Sequence, residues 1–186
     1  MTGPGEVRII GGQWKRSKLA VAHQPGLRPT PDRVRETLFN WLGQDLTGWR
    51  CLDAFAGSGA LGFEAASRGA DQVVLLERDR RIAATLVEAK SRLKAEQLRI
   101  ESVDALAWMA RCPANAFELV FIDPPFDTPL VAPALAAATR LVVEQGFIYV
   151  ESGQPLPPEP PPGLRLHRQG RAGAVHFHLL QRAGTA

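Results

Sequence analysis

The stretch that decides the fold is Cys51-Leu52-Asp53-Ala54-Phe55-Ala56-Gly57-Ser58-Gly59-Ala60-Leu61-Gly62. Its first four residues predict a buried strand, its glycines a tight loop, and Ala60 the start of a helix. Short apolar runs then alternate with helical segments over about a hundred residues. Because parallel strands need crossover connections, this alternation predicts βαβ units in a doubly wound α/β fold.

The elements that follow from this alternation can be placed on the sequence. A stiff loop is predicted at Gln154–Gly163, which holds six prolines, since proline interrupts helices and inner strands. The predicted helices are Ala60–Arg68, Arg80–Lys94, Ala105–Ala110 and Leu130–Val143. The predicted strands are Cys51–Ala54, Gln72–Leu76, Leu98–Ser102, Phe117–Ile122 and Phe147–Val150, with a closing pair at Leu164–Arg168 and Ala174–Gln181.

A separate pattern precedes the α/β region. Arg8-Ile9-Ile10 and Ser17–Val21 predict a hairpin with a glycine-bearing tip. Thr30 is predicted to cap the next helix, whose inward stripe is Val34, Leu38, Trp41 and Leu42. We therefore predict an N-terminal hairpin-and-helix extension at residues 1–45 and the α/β domain at residues 46–186.

The charge of the chain is unevenly distributed. Residues 1–35 have a net charge of +5, whereas the remainder carries −2. A basic arm of this kind indicates contact with a polyanion, above all a phosphate backbone, although a solvated basic surface is the alternative. The predicted RNA contacts are Arg8, Lys15, Arg16, Lys18, Arg28, Arg33 and Arg35, with Trp14 either stacking on a base or half-buried in the hairpin.

Composition excludes several classes of protein. The chain is 45% hydrophobic and 22% charged, which is typical of a globular protein. It holds no run of 18 apolar residues, so we expect no membrane span, and residues 1–7 lack the apolar run of a signal peptide. Its two cysteines and its histidines show no metal-ligand spacing. We therefore expect a cytoplasmic protein that binds no metal.

The glycine loop predicts a bound nucleotide. Gly57, Gly59 and Gly62 match a pattern that suits NAD or FAD equally well, or a turn that only packs helix on strand. Glu77 ends the second strand, where an acid can accept hydrogen bonds from ribose. Two features favour a ligand other than a dinucleotide: the Asp53 carboxylate would repel a pyrophosphate and attract the ammonium group of a methionine, and the chain shows no second nucleotide-binding half. The alternative for Asp53 is a carboxylate that caps the helix or braces the loop. The favoured cofactor is S-adenosylmethionine.

Three further positions complete the predicted cofactor site. Ala56 belongs to the glycine loop itself. Asp104 follows the third strand, where its side chain can reach the adenine of the cofactor, with Ala105 beside it. An equally strong interpretation makes Asp104 a plain helix cap.

The chemistry is predicted at Asp123-Pro124-Pro125-Phe126, which leaves the most apolar strand. The prolines fix the backbone and leave their carbonyls as acceptors. Two acceptors holding the hydrogens of an exocyclic base amine can aim its lone pair at a methyl sulfonium. Asp123 can then accept the departing proton, and Phe126 offers a face on which the base stacks. The alternative is a proline-rich turn braced by Asp123.

Taken together, these motifs resemble the RsmD family of bacterial enzymes, which methylate N2 of a guanine in small-subunit ribosomal RNA. The resemblance rests on residues 8–12, 28–30, 32–42, 53–62, 123–126 and 149–152. It implies a class I methyltransferase fold with seven strands, the last one antiparallel, and S-adenosylmethionine as donor. It implies that Asp53 and Gly57 lie near methionine, Glu77 near ribose and Asp104 near adenine.

The resemblance also implies the substrate, which is ribosomal RNA in a small subunit or in an assembly intermediate. It places Asp123, Pro124 and Phe126 around the target amine, and the hairpin with Arg33 and Arg35 toward cofactor and RNA. A monomer is expected because the RNA supplies the other large surface. The residues alone leave three rivals open: a DNA amine methyltransferase, an RNA-binding protein with an unused cofactor site, and an NAD-dependent enzyme.

Overall fold

The structure, a computed structural model, describes residues 5–22 and 27–184. The parts of the two predicted units at residues 1–4, 23–26 and 185–186 lie outside the described residues. The helices are α1 (Asp32–Trp41), α2 (Ala60–Ser67), α3 (Arg80–Leu93), α4 (Ala105–Arg111) and α5 (Val131–Leu141). The strands are β1 (Glu6–Arg8), β2 (Lys18–Ala20), β3 (Arg50–Asp53), β4 (Gln72–Leu76), β5 (Leu98–Glu101), β6 (Phe117–Ile122), β7 (Val142–Ser152), β8 (Leu164–Ala172) and β9 (Val175–Arg182).

Seven of these strands form one sheet in the order β5-β4-β3-β6-β7-β9-β8. Neighbours from β5 to β7 are parallel, and β9 runs antiparallel to both β7 and β8. The predicted class I methyltransferase fold, with its last strand antiparallel, is therefore confirmed. The direction of winding reverses between β3 and β6, and ligands of such sheets bind at the carboxyl ends of the strands beside that point.

The N-terminal extension packs against the sheet layer. Strands β1 and β2 pair antiparallel, as the predicted hairpin requires. Their buried side chains Val7 and Leu19 join the same hydrophobic cluster as Leu38 and Phe39 of α1. Burial of this shared apolar surface fixes the hairpin and α1 on the α/β core.

The structure corrects several local predictions: α5 ends at Leu141 rather than Val143, and β8 continues to Ala172 rather than ending at Arg168. Strand β7 begins at Val142, directly after α5, and is longer than the predicted Phe147–Val150, because Val142 already pairs with Phe117 ahead of a register shift. Thr30 does not cap α1, whose N-cap is Pro31 without a side-chain hydrogen bond. The Thr30 hydroxyl instead turns toward two carboxylates at the sheet edge.

None of the helices in the described residues has the length and hydrophobicity of a membrane span.

Candidate active site

Four carboxylates meet at one edge of the sheet, where the parallel strands end. Asp53 ends β3, Glu77 follows β4, Asp123 follows β6, and Glu151 lies one residue before the end of β7. Because β3 pairs in register with both β4 and β6, the loops that follow them are neighbours. The fold thus brings together the glycine loop and the Asp123 loop that the sequence singled out.

The glycine loop adopts the backbone that its sequence requires. Gly57 and Gly59 have φ values of 53° and 79°, in the left-handed region that side chains disfavour. The Ala56 carbonyl accepts the Gly59 N–H at 2.7 Å, which closes the turn into α2. A Cβ at Gly62 would lie 3.1 Å from Asp53 Oδ2, so glycine there lets the helix approach the strand.

Asp53 holds a buried acceptor without a partner. Its Oδ2 accepts the Gly62 N–H at 3.0 Å, while Oδ1 is buried and meets no donor among the described residues. Burial raises the pKa of Asp53 to about 7, and the charges of Glu77 and Glu151 add to this effect. An unpaired buried carboxylate oxygen is costly unless a cationic or hydrogen-bonding ligand reaches it.

Glu77 braces the same loop. Its Oε2 accepts the Gly57 N–H at 3.0 Å, and its Oε1 accepts the Asp79 N–H at 2.8 Å. An ionised carboxylate has about four lone-pair sites, so these two bonds leave capacity for ribose hydroxyls.

Asp104 serves as the N-cap of α4. Its Oδ1 accepts the Ala107 N–H at 2.9 Å, as the helix-cap interpretation expected. Ala105, the first residue of that helix, is buried. The contact of Asp104 and Ala105 with adenine therefore stays a prediction.

The Asp123 loop forms one wall of a cavity of about 370 Å³. Pro124 is buried at its base, whereas Pro125 and Phe126 are exposed, Phe126 to 40%. The opposite wall consists of Glu151 and the chain that follows it, including Ser152 and Gln154–Leu156. The volume is within the range of small-molecule sites, and the Phe126 ring approaches the opposite wall, since it would lie 3.8 Å from a Cβ at Gly153.

The Thr30 hydroxyl lies between Asp123 and Glu151. Thr30 Oγ1 donates to Glu151 Oε1 at 2.8 Å and lies 3.4 Å from Asp123 Oδ2. The Tyr149 hydroxyl also donates to Glu151 Oε1, at 2.7 Å. Burial raises the pKa of Asp123, and the charge of Glu151 raises it further. Burial likewise raises the pKa of Glu151, which the two hydroxyls only partly offset.

The sequence reasoning did not place Thr30, Tyr149 or Glu151 in the site. A usable signal was present, because Glu151 ends an apolar run just as Asp53 and Asp123 do. Segment 27–30 also crosses the site, since the Leu27 side chain lies against Gly57. The extension therefore contributes atoms to the site itself.

The predicted RNA contacts divide by exposure. Lys15, Arg16, Arg28 and Arg33 are exposed. Two others are exposed but paired on the surface, Arg8 with Asp32 at 3.0 Å and Lys18 with Glu6 at 2.9 Å. Trp14 is half-buried against the hydrophobic cluster.

Arg35 corrects the sequence prediction. Its side chain is fully buried, so the guanidinium cannot contact RNA in this structure. It pairs with Asp32 at 2.6 Å and Glu64 at 3.2 Å, and it donates to the carbonyls of Arg8 and Thr30. Arg35 therefore joins the hairpin, α1 and α2, and the sequence could not show this because its partner Glu64 lies 29 residues away.

Comparison with known proteins identifies the family. The model of the family described as Conserved hypothetical protein 95 matches residues 7–181. The chain belongs to this family. Its relatives include the Ribosomal RNA small subunit methyltransferase D of Escherichia coli strain K12, which is 44% identical over 184 residues, 97% of this chain and 92% of the relative. The Haemophilus influenzae protein of the same name is 41% identical and covers 95% of this chain and 94% of its own.

Solved structures agree with this assignment. The Escherichia coli methyltransferase yhhF superposes with a TM-score of 0.85 at 43% identity, covering 97% of this family member and all of the other chain. A Haemophilus influenzae methylase gives a TM-score of 0.81 at 38% identity, with 97% and 100% coverage. The resemblance to the RsmD family is therefore confirmed, and the fold of this member is that of a class I methyltransferase.

Proposed function

We propose that this protein transfers the methyl group of S-adenosylmethionine to the exocyclic N2 amine of a guanine in small-subunit ribosomal RNA. The observation that carries the proposal is the juxtaposition of two sets of acceptors. Asp53 offers a buried oxygen without a partner, and Asp123 lies at the same sheet edge, directly before Pro124, which lines the cavity of about 370 Å³ together with Glu151. The relatives named as ribosomal RNA small subunit methyltransferases supply the substrate class.

The residues at the glycine loop fit S-adenosylmethionine. The free Oδ1 of Asp53 suits the methionine ammonium, whose charge would offset the buried carboxylate. The backbone of Ala56, Gly57 and Gly59 lines the approach, and Glu77 retains acceptor capacity for ribose. Asp104 and Ala105 stand after the next strand, where adenine would lie. When bound, this cofactor supplies a methyl group on a positively charged sulfur.

The Asp123 loop performs the amine chemistry. The Asp123 carboxylate and the Pro124 carbonyl accept the two hydrogens of the amine, while Pro125 keeps the loop rigid. This arrangement directs the nitrogen lone pair away from the ring, since a lone pair delocalised in the base is a poor nucleophile. Asp123 takes the proton that nitrogen releases after methylation. Phe126 stacks on a base that has left its helix.

The N-terminal extension binds the RNA backbone. Its exposed cations at Lys15, Arg16, Arg28 and Arg33 provide the positive charge that phosphates attract. We propose that one monomer acts on one subunit or assembly intermediate in the cytoplasm, where ribosomal RNA is found. No metal is invoked; the described residues hold no group of three or more His, Cys, Asp or Glu arranged for one.

The test combines cofactor, atom and substrate. Purified protein is incubated with tritium-labelled S-adenosylmethionine and small subunits that lack native methylation, and the labelled nucleoside is identified after digestion. Label in N2-methylguanosine is expected. Label in another nucleoside would retain a methyltransferase with a different target, and absence of label despite cofactor binding would overturn the proposed substrate.

A further inference from the structure

A second carboxylate, that of Glu151, stands beside Asp123 and has no role in the steps above. The two acids are close enough for the Thr30 hydroxyl to lie within reach of both. Glu151 is only 3% exposed, yet it lines the cavity into which the target base would enter. Because Glu151 lies beside Asp123, a base whose amine is held by Asp123 would bring the ring atom next to that amine toward Glu151.

The two oxygens of Glu151 are used unequally. Oε1 receives both hydroxyl bonds, from Thr30 and from Tyr149. Within residues 5–22 and 27–184, no donor bonds to Oε2 of Glu151. This oxygen is not fully enclosed, because the fully enclosed atoms without a partner do not include it. The two hydroxyls therefore fix the carboxylate while leaving one oxygen to accept a hydrogen from the cavity.

The three bases with an exocyclic amine differ in the ring atom beside it. In guanine, the ring nitrogen N1 next to the N2 amine carries a hydrogen and is a donor. In adenine and cytosine, the ring nitrogen next to the amine is an acceptor with a lone pair. A carboxylate at that position attracts guanine, whereas it sets its own lone pair against that of adenine or cytosine.

We propose that Glu151 determines guanine specificity by accepting the N1–H of the target base, next to the amine held by Asp123. The inference deepens the proposed function and rests on it. Guanine then presents donors to both neighbouring acids, which compensates the repulsion between their charges. Neither adenine nor cytosine can do so, although each carries an amine that Asp123 and Pro124 could hold.

The decisive probe keeps the amine and removes the ring hydrogen. The base 2-aminopurine carries the same 2-amino group as guanine but has neither the hydrogen on N1 nor the O6 oxygen, so the ratio in a Glu151 variant is needed to separate the two losses. Small subunits are reconstituted with RNA that carries guanosine or 2-aminopurine riboside at the methylated position, and methyl transfer to each is measured. We expect kcat/KM of the native protein to be about ten- to a hundredfold lower for 2-aminopurine, as for the loss of one well-aligned base contact.

The variant Glu151→Gln should weaken this discrimination. A glutamine amide can turn its NH2 toward the N1 lone pair of 2-aminopurine, so the ratio of the two kcat/KM values should fall to about threefold or less. Thr30→Val is the matched control, because it removes a hydroxyl that braces Glu151 but leaves the carboxylate. Thr30→Val should lower kcat/KM for both substrates by the same factor. The ratio of kcat/KM for guanosine to that for 2-aminopurine should therefore stay several times higher than in Glu151→Gln.

The outcomes separate this inference from the proposed function. If the native protein methylates neither substrate, the proposed function fails. If it methylates guanosine and 2-aminopurine equally well, or if Glu151→Gln retains the native ratio, Glu151 is only a brace and the inference fails. Should Glu151→Gln not fold, Glu151→Asp withdraws the carboxylate by one methylene, and an undiminished ratio in that variant would equally overturn it.

Discussion

Glu64 in α2 and the carboxylates at the sheet edge are two groups of acids that differ in the donors around them. Glu64, fully buried in α2, accepts bonds from the backbone amides of Ile10 and Gly11 at 2.9 and 2.8 Å. It also pairs with Arg35 at 3.2 Å and Arg68 at 2.9 Å. Both of its oxygens are thus satisfied by the protein itself, and this carboxylate connects the hairpin to α2.

The carboxylates at the sheet edge meet fewer donors. Asp53 has an oxygen without a partner, and Asp123 has one long contact to Thr30. Among the described residues, neither of these acids nor Glu151 forms an ion pair. Acids that the protein leaves incompletely matched are poised for a ligand, whereas fully matched ones stabilise the fold.

The largest effect is expected at Asp123. Asp123→Ala removes the proposed acceptor for the amine and for its proton, so the single-turnover rate of methylation should fall by about 10²- to 10⁴-fold. RNA affinity, measured by filter binding, should change by less than about twofold.

The matched control lies away from the cavity. Glu96→Gln alters an exposed acid in the loop after α3 and should keep the methylation rate within about threefold. A parallel loss of rate and RNA affinity in Asp123→Ala would contradict the role assigned to Asp123.

Breaking the matched cluster should affect stability. Glu64→Gln leaves the buried Arg35 guanidinium without its full counter-charge, and such losses cost about 3–5 kcal/mol in the free energy of unfolding. Denaturant titration measures this change. Glu36→Gln, at an exposed position of α1, should stay within about 0.5 kcal/mol, and an equally small effect in Glu64→Gln would remove the contrast between the two groups.

Asp53 should make cofactor binding depend on pH. Because its pKa in the free protein is about 7, the carboxyl is largely protonated at pH 6 and must ionise to pair with an ammonium. Affinity for S-adenosylmethionine, measured by calorimetry, should rise from pH 6 to pH 8. Asp53→Asn should flatten this rise and weaken binding at pH 8 by about ten- to a hundredfold.

Asp53 also makes the stability of the free protein depend on pH, and this dependence has the opposite sign to that of cofactor affinity. A raised pKa favours folding at low pH, so this contribution is complete below about pH 4 and is lost as pH rises through about 7.

The control for the binding experiment is Glu88→Gln, on an exposed surface of α3, which should keep the native pH dependence of cofactor binding. A flat affinity profile in the native protein would show that Asp53 does not pair with the cofactor's ammonium.

Much of the fold and part of the site follow from local sequence. The strand, glycine loop and helix at residues 51–62 were predicted because apolar period and glycine geometry act over a few residues. Asp53, Glu77 and Asp123 followed because strand ends converge at one sheet edge. The sequence could not reveal the bond from Thr30 to Glu151, which spans 121 residues, nor the burial of Arg35 against Glu64. Such pairs depend on how the extension docks.

The smallest effect is expected on the surface proposed to bind RNA, where exposed cations contrast with the buried Arg35. The double variant Lys15→Gln/Arg16→Gln removes two charges at the hairpin tip. Each phosphate contact contributes nearly one unit to the slope of log Kd against log salt. The slope of log Kd against log salt should therefore decrease by roughly two. Arg111→Gln, an exposed charge at the end of α4, should leave the slope unchanged. If both variants behave alike, the RNA follows a path other than the hairpin, because only a cation near a phosphate changes the number of counterions released.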